Sequence, residues 1–391
     1  MLHTSVVTRT DGFFGLRDDW FGLIERSSSA TVFDTFEWQF SWWKHIGTKI
    51  AGARPLIVLI RDEQGVLRGI FPFYTKFWLV SPFRLLLFVG SGSSDYHDII
   101  AADGSEQAVA EELTRWLALG QSWSFADLNQ LREGGLIRQY VNLAQVGEFK
   151  YIGLEQEECP FADLPGLGEP EDRWNQLLNG YSKKMRGNIR YYNRSLDTVY
   201  DVQRRIASTE EETLEALDAL FELHQRRWNQ RWLPGAFYSR SLREFHCEAA
   251  VQLLSRGWLR LHWIQLDETI EAVLYCFFLN KVTSYYQGGF EPALARLSLG
   301  TVVTGLAVHQ AIADNCVRFD FLRGDEEYKK RWTKGTTAWN HRWLVGLRDS
   351  KLFSLAAAHV QLELRVEQRF KQWMHHRKSG RPPGNAETVA K

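Results

Sequence analysis

Residues 319–332 (FDFLRGDEEYKKRW) form the densest group of polar side chains that could carry chemistry. Asp320 lies between two phenylalanines on a predicted buried strand, where a carboxylate needs a partner or a purpose. Arg323 is a candidate structural partner, and the alternative is that Asp320 acts as a base or orients one. Tyr328 and Lys329 follow the strand end, and we predict that they serve as a proton donor and an anion clamp.

A second candidate site lies where a strand gives way to a helix, at residues 296–301 (RLSLGT). A helix N-terminus presents free N–H groups and a partial positive charge, and small residues let a pyrophosphate approach closely. We therefore predict a phosphate-binding loop made of Arg296, Ser298, Gly300 and Thr301. An ordinary serine N-cap is the alternative explanation of this pattern.

Basic side chains recur at helical spacing a hundred residues earlier. Lys183, Arg186, Arg190 and Arg194 are three or four residues apart and form a cationic stripe on a predicted helix. Because guanidinium groups pair with phosphate and carboxylate through parallel hydrogen bonds, we predict that Lys184, Arg186 and Arg190 bind anionic groups of a substrate. A solvated helix face is the alternative.

The segment 94–99 (SDYHDI) gathers polar residues at the end of a strand in the first half. We predict that Asp95 and Tyr96 line a cleft between two domains and bind substrate there; Arg323 in the second half is also predicted to bind substrate. A hydrogen-bonded loop is the alternative for the first two. The preceding run GSGSSD begins like a dinucleotide-binding loop but lacks its third glycine, and we predict no metal site.

The elements that must position these residues follow one plan used twice. Each half has a β-hairpin with an Asp-Glu turn, at 62–63 and 267–268, followed by a strand, a glycine-containing loop and a helix. A strand with a central aspartate, Asp127 or Asp320, comes next. Helices are expected at about 36–46, 105–119, 172–195, 210–231, 239–256 and 298–314. This mixture predicts an α/β fold with mixed central sheets flanked by helices.

Length and composition bound the class of protein. A chain of 391 residues exceeds the usual size of a single hydrophobic core, so two domains are expected. Lys plus Arg and Asp plus Glu each number 47, which excludes a global charge excess that would attract nucleic acid or anionic lipid. Four cysteines without a CxxC pair favour a reducing compartment, and we see no secretory signal or membrane span. We expect a soluble, cytoplasmic protein.

The predicted boundaries follow from shifts in composition. We expect an N-terminal domain at 1–155, a linker at 156–171 that is rich in Pro, Gly and acidic residues, and a C-terminal domain at 172–350. A single helix is expected at 351–377 and a disordered tail at 378–391. The signatures HExxH, GxxxxGK[ST] and GxSxG are absent, which removes the usual support for zinc hydrolases, P-loop enzymes and serine hydrolases.

The order of these segments resembles the GNAT-fold acyltransferases of the BioF-like group, often labelled CelD-type cellulose-biosynthesis proteins. The resemblance covers about 31–343. Its most specific part is GF-x-P at 289–292, L-S-x-G at 297–300 and F-D-F-x-R-G-x-x-x-Y-K at 319–329. It implies two tandem GNAT-like domains, similar to the Fem peptidyltransferases, with one active site in the second domain that faces the interdomain cleft.

The resemblance also implies a reaction, the transfer of an acyl group, with acetyl as the first expectation, from acyl-CoA to an amine of a small molecule or a polysaccharide or cell-envelope precursor. GNAT proteins hold the acetyl-CoA pyrophosphate with a Q/R-x-x-G-x-G/A loop. Here Arg296 and Gly300 offer a comparable arrangement, but the glycine spacing differs, since Leu299 stands where the first glycine is expected. An aminoacyl-tRNA-dependent transferase of the Fem type and a non-catalytic scaffold in exopolysaccharide synthesis are the alternatives.

Overall fold

The computed structural model describes residues 2–78, 83–119, 123–142, 149–166, 168–229, 235, 237–347 and 350–379. The first half contains β1 (His3–Val7), α1 (Thr10–Phe14), α2 (Arg17–Ile24), α3 (Phe36–His45), β2 (Arg54–Arg61), β3 (Leu67–Phe77), β4 (Arg84–Phe88), β5 (Ile100–Ala101), α4 (Glu106–Ala118), β6 (Phe125–Arg132), α5 (Leu136–Tyr140) and β7 (Phe149–Asp163). The second half contains α6 (Pro170–Asn179), α7 (Lys183–Asp197), β8 (Val202–Ile206), α8 (Glu210–Asn229), α9 (Arg240–Ser255), β9 (Leu259–Leu266), β10 (Thr269–Leu279), β11 (Val282–Phe290), α10 (Leu299–Ala313), β12 (Arg318–Asp320), α11 (Glu327–Thr333), β13 (Thr337–Leu347) and α12 (Lys351–Ser379).

One continuous mixed sheet runs through the molecule in the order β1-β2-β3-β4-β6-β13-β7-β12-β11-β10-β9-β8, and β5 pairs with β3 beside this path. Read inward from its two edges, the sheet shows the same series twice, β1-β2-β3-β4-β6 and β8-β9-β10-β11-β12. In both series the last two strands are parallel and the others antiparallel. The repeated plan expected from the sequence is therefore present in the sheet.

The two halves exchange their last strands at the centre of the sheet. Strand β7 follows β6 along the chain but pairs with β12, and β13 follows β12 but pairs with β6. The two exchanged strands also pair with each other from Phe149 opposite Leu347 to Pro160 opposite Thr337. Residues 156–163, which the sequence assigned to a linker, lie in β7. The acidic side chains of this segment interrupt the alternation of apolar and polar residues that usually indicates a strand. They are tolerated because β7 is a central strand whose charged side chains have partners of their own.

Helices cover both faces of the sheet. On one face, α1, α2, α3, α8, α9 and α12 enclose a single core that both halves share. On the other face, α4 and α5 cover the first half, and α6, α7, α10 and α11 cover the second half in a separate core. The aromatic helix α3 is capped by Thr35, whose hydroxyl accepts from the Trp38 N–H, and it packs against α9.

Two other expectations differ in detail. The single helix expected at 172–195 is two helices, because the chain turns at Gly180 and Ser182 then caps α7 by accepting from the Met185 N–H. The C-terminal helix extends to Ser379 and packs Phe353, Ala357 and Val360 on the shared core. Of the expected tail, residues 380–391 lie outside the described residues.

Candidate active site

The two parallel strands of the second half diverge at Asp320. Strands β11 and β12 pair only from Val282 opposite Arg318 to Ser284 opposite Asp320. Strand β11 continues to Phe290, whereas β12 ends at Asp320. The second part of β11 and the loop that follows β12 are therefore not paired with each other, and the rings of Tyr285, Phe321 and Tyr328 pack together there.

Strand β11 carries a β-bulge just after the residues that pair with β12. Its pairing with β10 places Gln287 opposite Tyr275 and Tyr285 opposite Cys276, so Tyr286 is the extra residue. The N–H of an extra residue is left out of the ladder. Tyr285 packs in the core of the second half beneath α10, whereas Tyr286 and Gln287 face the opposite side. The bulge thus offers a backbone donor on the part of β11 that has no β12 partner.

A cavity of about 500 Å³ lies on the side of the shared core, next to the bulge. Its walls come from α3, the loop after β4, the start of α9 and the loop after β12. The lining residues are Trp42, His45, Ile46, Lys49, Ile50, Ser91, Gly92, Ser93, Asp95, Tyr238, Ser239, Ser241, Leu242, His246, Tyr286, Gln287 and Arg323. The cavity therefore lies between the two halves and combines aromatic rings with hydroxyl groups and charges.

Asp95 and Arg323 form an ion pair at this cavity, with 2.7 Å between Oδ1 and Nε. The Asp95 side chain is 7% exposed, and burial raises its pKa to about 6, although Arg323 and Lys329 act to lower it. Burial acts to lower the pKa of Arg323, but the carboxylates of Asp95 and Glu157 outweigh burial and raise it. The sequence analysis predicted each residue separately as substrate-binding, and the structure brings the two together at this cavity.

Asp320 lies behind the cavity and is enclosed by hydrogen bonds. The Tyr96 hydroxyl donates to it at 2.9 Å and the Leu322 N–H donates at 2.8 Å. Burial raises the pKa of Asp320, and these two hydrogen bonds act against that rise. Arg323, which the sequence offered as its structural partner, pairs instead with Asp95 and lies 3.7 Å from Glu157. Tyr96 therefore joins the first half to Asp320, and it does not line the cavity.

Lys329 and Tyr328 lie on α11, beyond the end of β12. The Lys329 ammonium donates to the Arg323 carbonyl at 2.5 Å and pairs with Glu326 at 3.1 Å, so it stabilises the loop that carries Arg323. Tyr328 packs near Tyr285, with 6.1 Å between ring centres. Burial raises the pKa of Tyr328 well above its ordinary value. The roles of both residues in catalysis stay predictions.

The predicted donor loop forms the start of α10. Ser298 occupies the N-cap position in a left-handed conformation (φ 52°), and its side chain makes no capping hydrogen bond, so the ordinary serine cap is not formed. A Cβ on Gly300 would lie 3.2 Å from the Phe290 ring, so a larger residue has little room there. Arg296 is exposed, and Thr301 lies in the first turn. These features fit the close approach of a phosphate to helix N–H groups.

Helix α7 packs against α10 and the short helix Pro292–Leu297. Lys184 and Arg190 are exposed, and neither has an ion pair within the described part of the chain. Arg186 instead donates to the carbonyls of Asn179 and Tyr181 at the end of α6. The cationic stripe therefore borders the donor loop, with one of its predicted members engaged in structure.

Several residues around the cavity escaped sequence reasoning. Gly288 and Gly289 next to a Tyr-Tyr pair were a signal for a strand irregularity, which would have identified Tyr286. Trp42 was visible in the aromatic helix, but nothing showed that it faces a cavity. Lys49 and Ser241 come from distant segments and meet at 2.7 Å, a contact that no spacing encodes.

We compared the sequence with protein-family models and the fold with solved structures. Residues 183–330 match the model described as an acetyltransferase (GNAT) domain. The fold is GNAT-like. FemX is 11% identical with a TM-score of 0.61, covering 90% of this chain and 99% of FemX. A conserved protein of unknown function from Bacteroides thetaiotaomicron is 12% identical with a TM-score of 0.56, covering 88% and 100%.

A third similar structure is the C-terminal domain of a putative lysylphosphatidylglycerol synthetase from Agrobacterium fabrum, 10% identical with a TM-score of 0.51, covering 90% of this chain and 97% of that domain. No curated protein matches the sequence. At these identities the similar structures show the fold alone. The matched residues 183–330 contain the predicted donor loop, the bulge and Asp320, so the similarity to a GNAT domain lies in the second half.

Within the described residues, no cluster of three or more His, Cys, Asp or Glu side chains could hold a metal ion. In the same part of the chain, no helix has both the length and the apolar character that crossing a bilayer requires.

Proposed function

We propose that this protein is an N-acyltransferase that moves an acyl group, acetyl in the simplest case, from acyl-CoA to an amine. The observation that carries the proposal is the divergence of β11 and β12, with a helix N-terminus on one face of the sheet and a cavity on the other. We also propose that the chain is a member of the BioF-like, CelD-type group, on the motifs at 289–300 and 319–329.

The donor enters from the side of α10. Its pyrophosphate lies at Ser298, Gly300 and Thr301, and Arg296 and Arg190 supply positive charge nearby. The thioester end then extends along β11 towards the bulge. Backbone N–H groups aimed at a developing oxyanion are a strong source of rate acceleration, and the Tyr286 N–H is such a donor.

The acceptor amine occupies the cavity on the opposite face. Aromatic rings and hydroxyl groups there, including Tyr238 and Ser239, fit a polar small molecule or a precursor of a glycan or cell envelope. Holding donor and acceptor from opposite faces of the sheet converts a bimolecular reaction into one between oriented groups.

The experiment that tests this proposal is a thiol-release assay with purified full-length protein. Acetyl-CoA and longer acyl-CoAs are supplied with a panel of primary amines, and free CoA is quantified. We expect amine-dependent release from at least one thioester. Absence of release from every thioester, together with absence of CoA binding at millimolar concentration, contradicts the proposal.

One observation favours a second donor class. The exposed cations Lys184 and Arg190 on α7 fit a polyanion, which an aminoacyl-tRNA would provide, and FemX has a similar fold. Filter binding of tRNA at low and high salt distinguishes the acyl-CoA donor from the aminoacyl-tRNA donor. Binding that weakens steeply with salt favours the tRNA donor, and no binding at low salt excludes it.

A further inference from the structure

Three aspartates of the central region are buried, and they differ in what their carboxylates accept. Asp98 accepts from three backbone N–H groups, those of Ile99, Leu136 and Ile137, and so caps α5. Asp320 accepts from Tyr96 and Leu322. The Asp95 carboxylate pairs through Oδ1 with Arg323 at 2.7 Å, and no side-chain or backbone hydrogen bond to its Oδ2 appears among the described residues. Of these three aspartates, Asp95 is thus the one whose carboxylate keeps an oxygen for a ligand.

Asp95 is also the only one of these three that lines the cavity. Its position is fixed from both halves of the chain, because Arg323 pairs with its side chain and Asn340 holds its backbone. Asn340 in turn contacts Gln130 at 2.6 Å, and Gln130 contacts Glu157 at 3.1 Å. The carboxylate is therefore held in place while one side remains open to whatever occupies the cavity.

We propose that Asp95, supplied by the first half of the chain, is the general base that deprotonates the acceptor amine for the second half's acyltransferase site. This inference rests on the proposed function. The Asp95 carboxylate takes one proton from the ammonium group, and the nitrogen lone pair then forms the C–N bond with the thioester carbonyl. The tetrahedral intermediate collapses with cleavage of the C–S bond. The leaving thiolate takes the second amine proton, so the products are an amide, CoA thiol and protonated Asp95.

The charges around Asp95 set its pH response. The groups that face it are Arg323, Lys329, Glu157, Asp320, Tyr286 and Cys159. The upward effect of burial on the pKa of Asp95 is larger than the downward effect of the two cations, so the pKa is about 6. A base with this pKa is deprotonated at neutral pH and still accepts a proton from a bound ammonium more readily than an ordinary surface aspartate does.

The first experiment measures binding of propylammonium, without any thioester, by calorimetry between pH 5 and pH 8. Wild type binds this probe, with affinity that falls below about pH 6, and Asp95→Asn binds at least tenfold more weakly. The variant Asp95→Asn/Arg323→Gln, which leaves no unpaired cation, behaves like Asp95→Asn. No binding by wild type, or equal binding by wild type and both variants, overturns the inference. Because no donor is present, this readout stands apart from the proposed function.

The second experiment follows acetyl-CoA thiol release with propylamine as acceptor. Wild-type kcat/KM rises about tenfold per pH unit below pH 6 and levels above it, whereas Asp95→Asn loses this limb and about 100-fold or more of the rate. Formate restores part of the rate to Asp95→Gly, and CoA affinity is unchanged in all Asp95 variants. A wild-type pH profile in Asp95→Asn, or loss of the limb in Asp320→Asn alone, overturns the role of Asp95. Loss of CoA binding by wild type counts against the proposed function instead.

Discussion

The hydroxyl of Tyr96 is the link between the first half and the buried Asp320. It donates to both carboxylate oxygens, at 3.1 and 2.9 Å. Once this donor is removed, the Leu322 N–H is the one hydrogen-bond donor to this buried carboxylate that remains among the described residues. An unsatisfied buried acceptor costs about 1–3 kcal/mol.

Tyr96→Phe is therefore expected to lower the free energy of unfolding by about 1–3 kcal/mol. Denaturant unfolding at pH 7.5 measures it. Tyr191→Phe is the matched control, because Tyr191 is exposed on α7 and its loss leaves no buried group unpaired. Equal stability of Tyr96→Phe and Tyr191→Phe would show that the contact contributes nothing.

Asp34 gives a pH-dependent prediction at a distance from the cavity. Burial raises its pKa to about 7, although hydrogen bonds from the Thr31 N–H and hydroxyl act to lower it. The unfolded chain loses this proton near pH 4. Between these values the folded state binds more protons than the unfolded state, so stability falls as pH rises.

Replacing Asp34 by Asn removes this titration. Between pH 5 and pH 7, wild type should lose about 2 kcal/mol more stability than Asp34→Asn, because the full slope of about 1.4 kcal/mol per pH unit decreases as the pH approaches the folded pKa. Urea unfolding of both proteins at the two pH values gives the difference. Parallel pH dependence in the two proteins contradicts the raised pKa.

Helix α7 carries charge to the donor loop without making contact with the reacting atoms. Arg190→Glu is expected to weaken CoA binding about 3–10-fold in 20 mM salt, because it replaces attraction to the pyrophosphate by repulsion. The effect should shrink in 500 mM salt, where such interactions are screened.

Lys351→Glu is the control for that change, since Lys351 is an exposed cation at the start of α12. Calorimetric titration of CoA at the two salt concentrations measures both variants. If Arg190→Glu and Lys351→Glu bind CoA equally well, the stripe is a solvated helix face.

The exchange of β7 and β13 makes the two halves of the sheet depend on each other. A fragment of residues 167–391 lacks β7, so β12 and β13 lose their shared partner at the centre of the sheet. We expect this fragment to show no cooperative thermal transition by circular dichroism. Mixing it with residues 1–166 during refolding should restore one transition, because β7 returns. A fragment that unfolds cooperatively alone, at the temperature of the intact chain, contradicts this dependence.

The repeated layout was predictable from the sequence because it rests on local signals. The Asp-Glu hairpin turns, the N-cap Thr35 and the apolar strand around Asp320 each determine structure within a few residues. The strand exchange was not predictable, because the sequence of β7 contains no local signal that determines which strand it pairs with. The acidic residues of β7 led to its prediction as a linker. One of them is Glu157, which contacts Arg323 and Gln130.

Some residues of the candidate site stood out in the sequence, although their roles stay predictions. Asp95, Arg323 and the loop at Gly300 were noticed because a charge or a small residue is unusual where it occurs. Which aspartate faces the cavity depends on contacts across 224 or more positions of sequence, as between Tyr96 and Asp320, and spacing does not encode these. The bulge at Tyr286 depends on pairing with β10, which only the folded sheet shows.

The most direct test of the account is calorimetric titration of CoA into wild type, Gly300→Val and Gly305→Ala. Gly300 abuts the Phe290 ring at the donor loop, whereas a Cβ on Gly305 of the same helix meets its nearest neighbour at an ordinary 3.8 Å. The account predicts that wild type and Gly305→Ala bind CoA with the same Kd and that Gly300→Val binds at least tenfold more weakly. Unchanged binding by Gly300→Val, or no binding by wild type at millimolar CoA, contradicts a donor held at the start of α10.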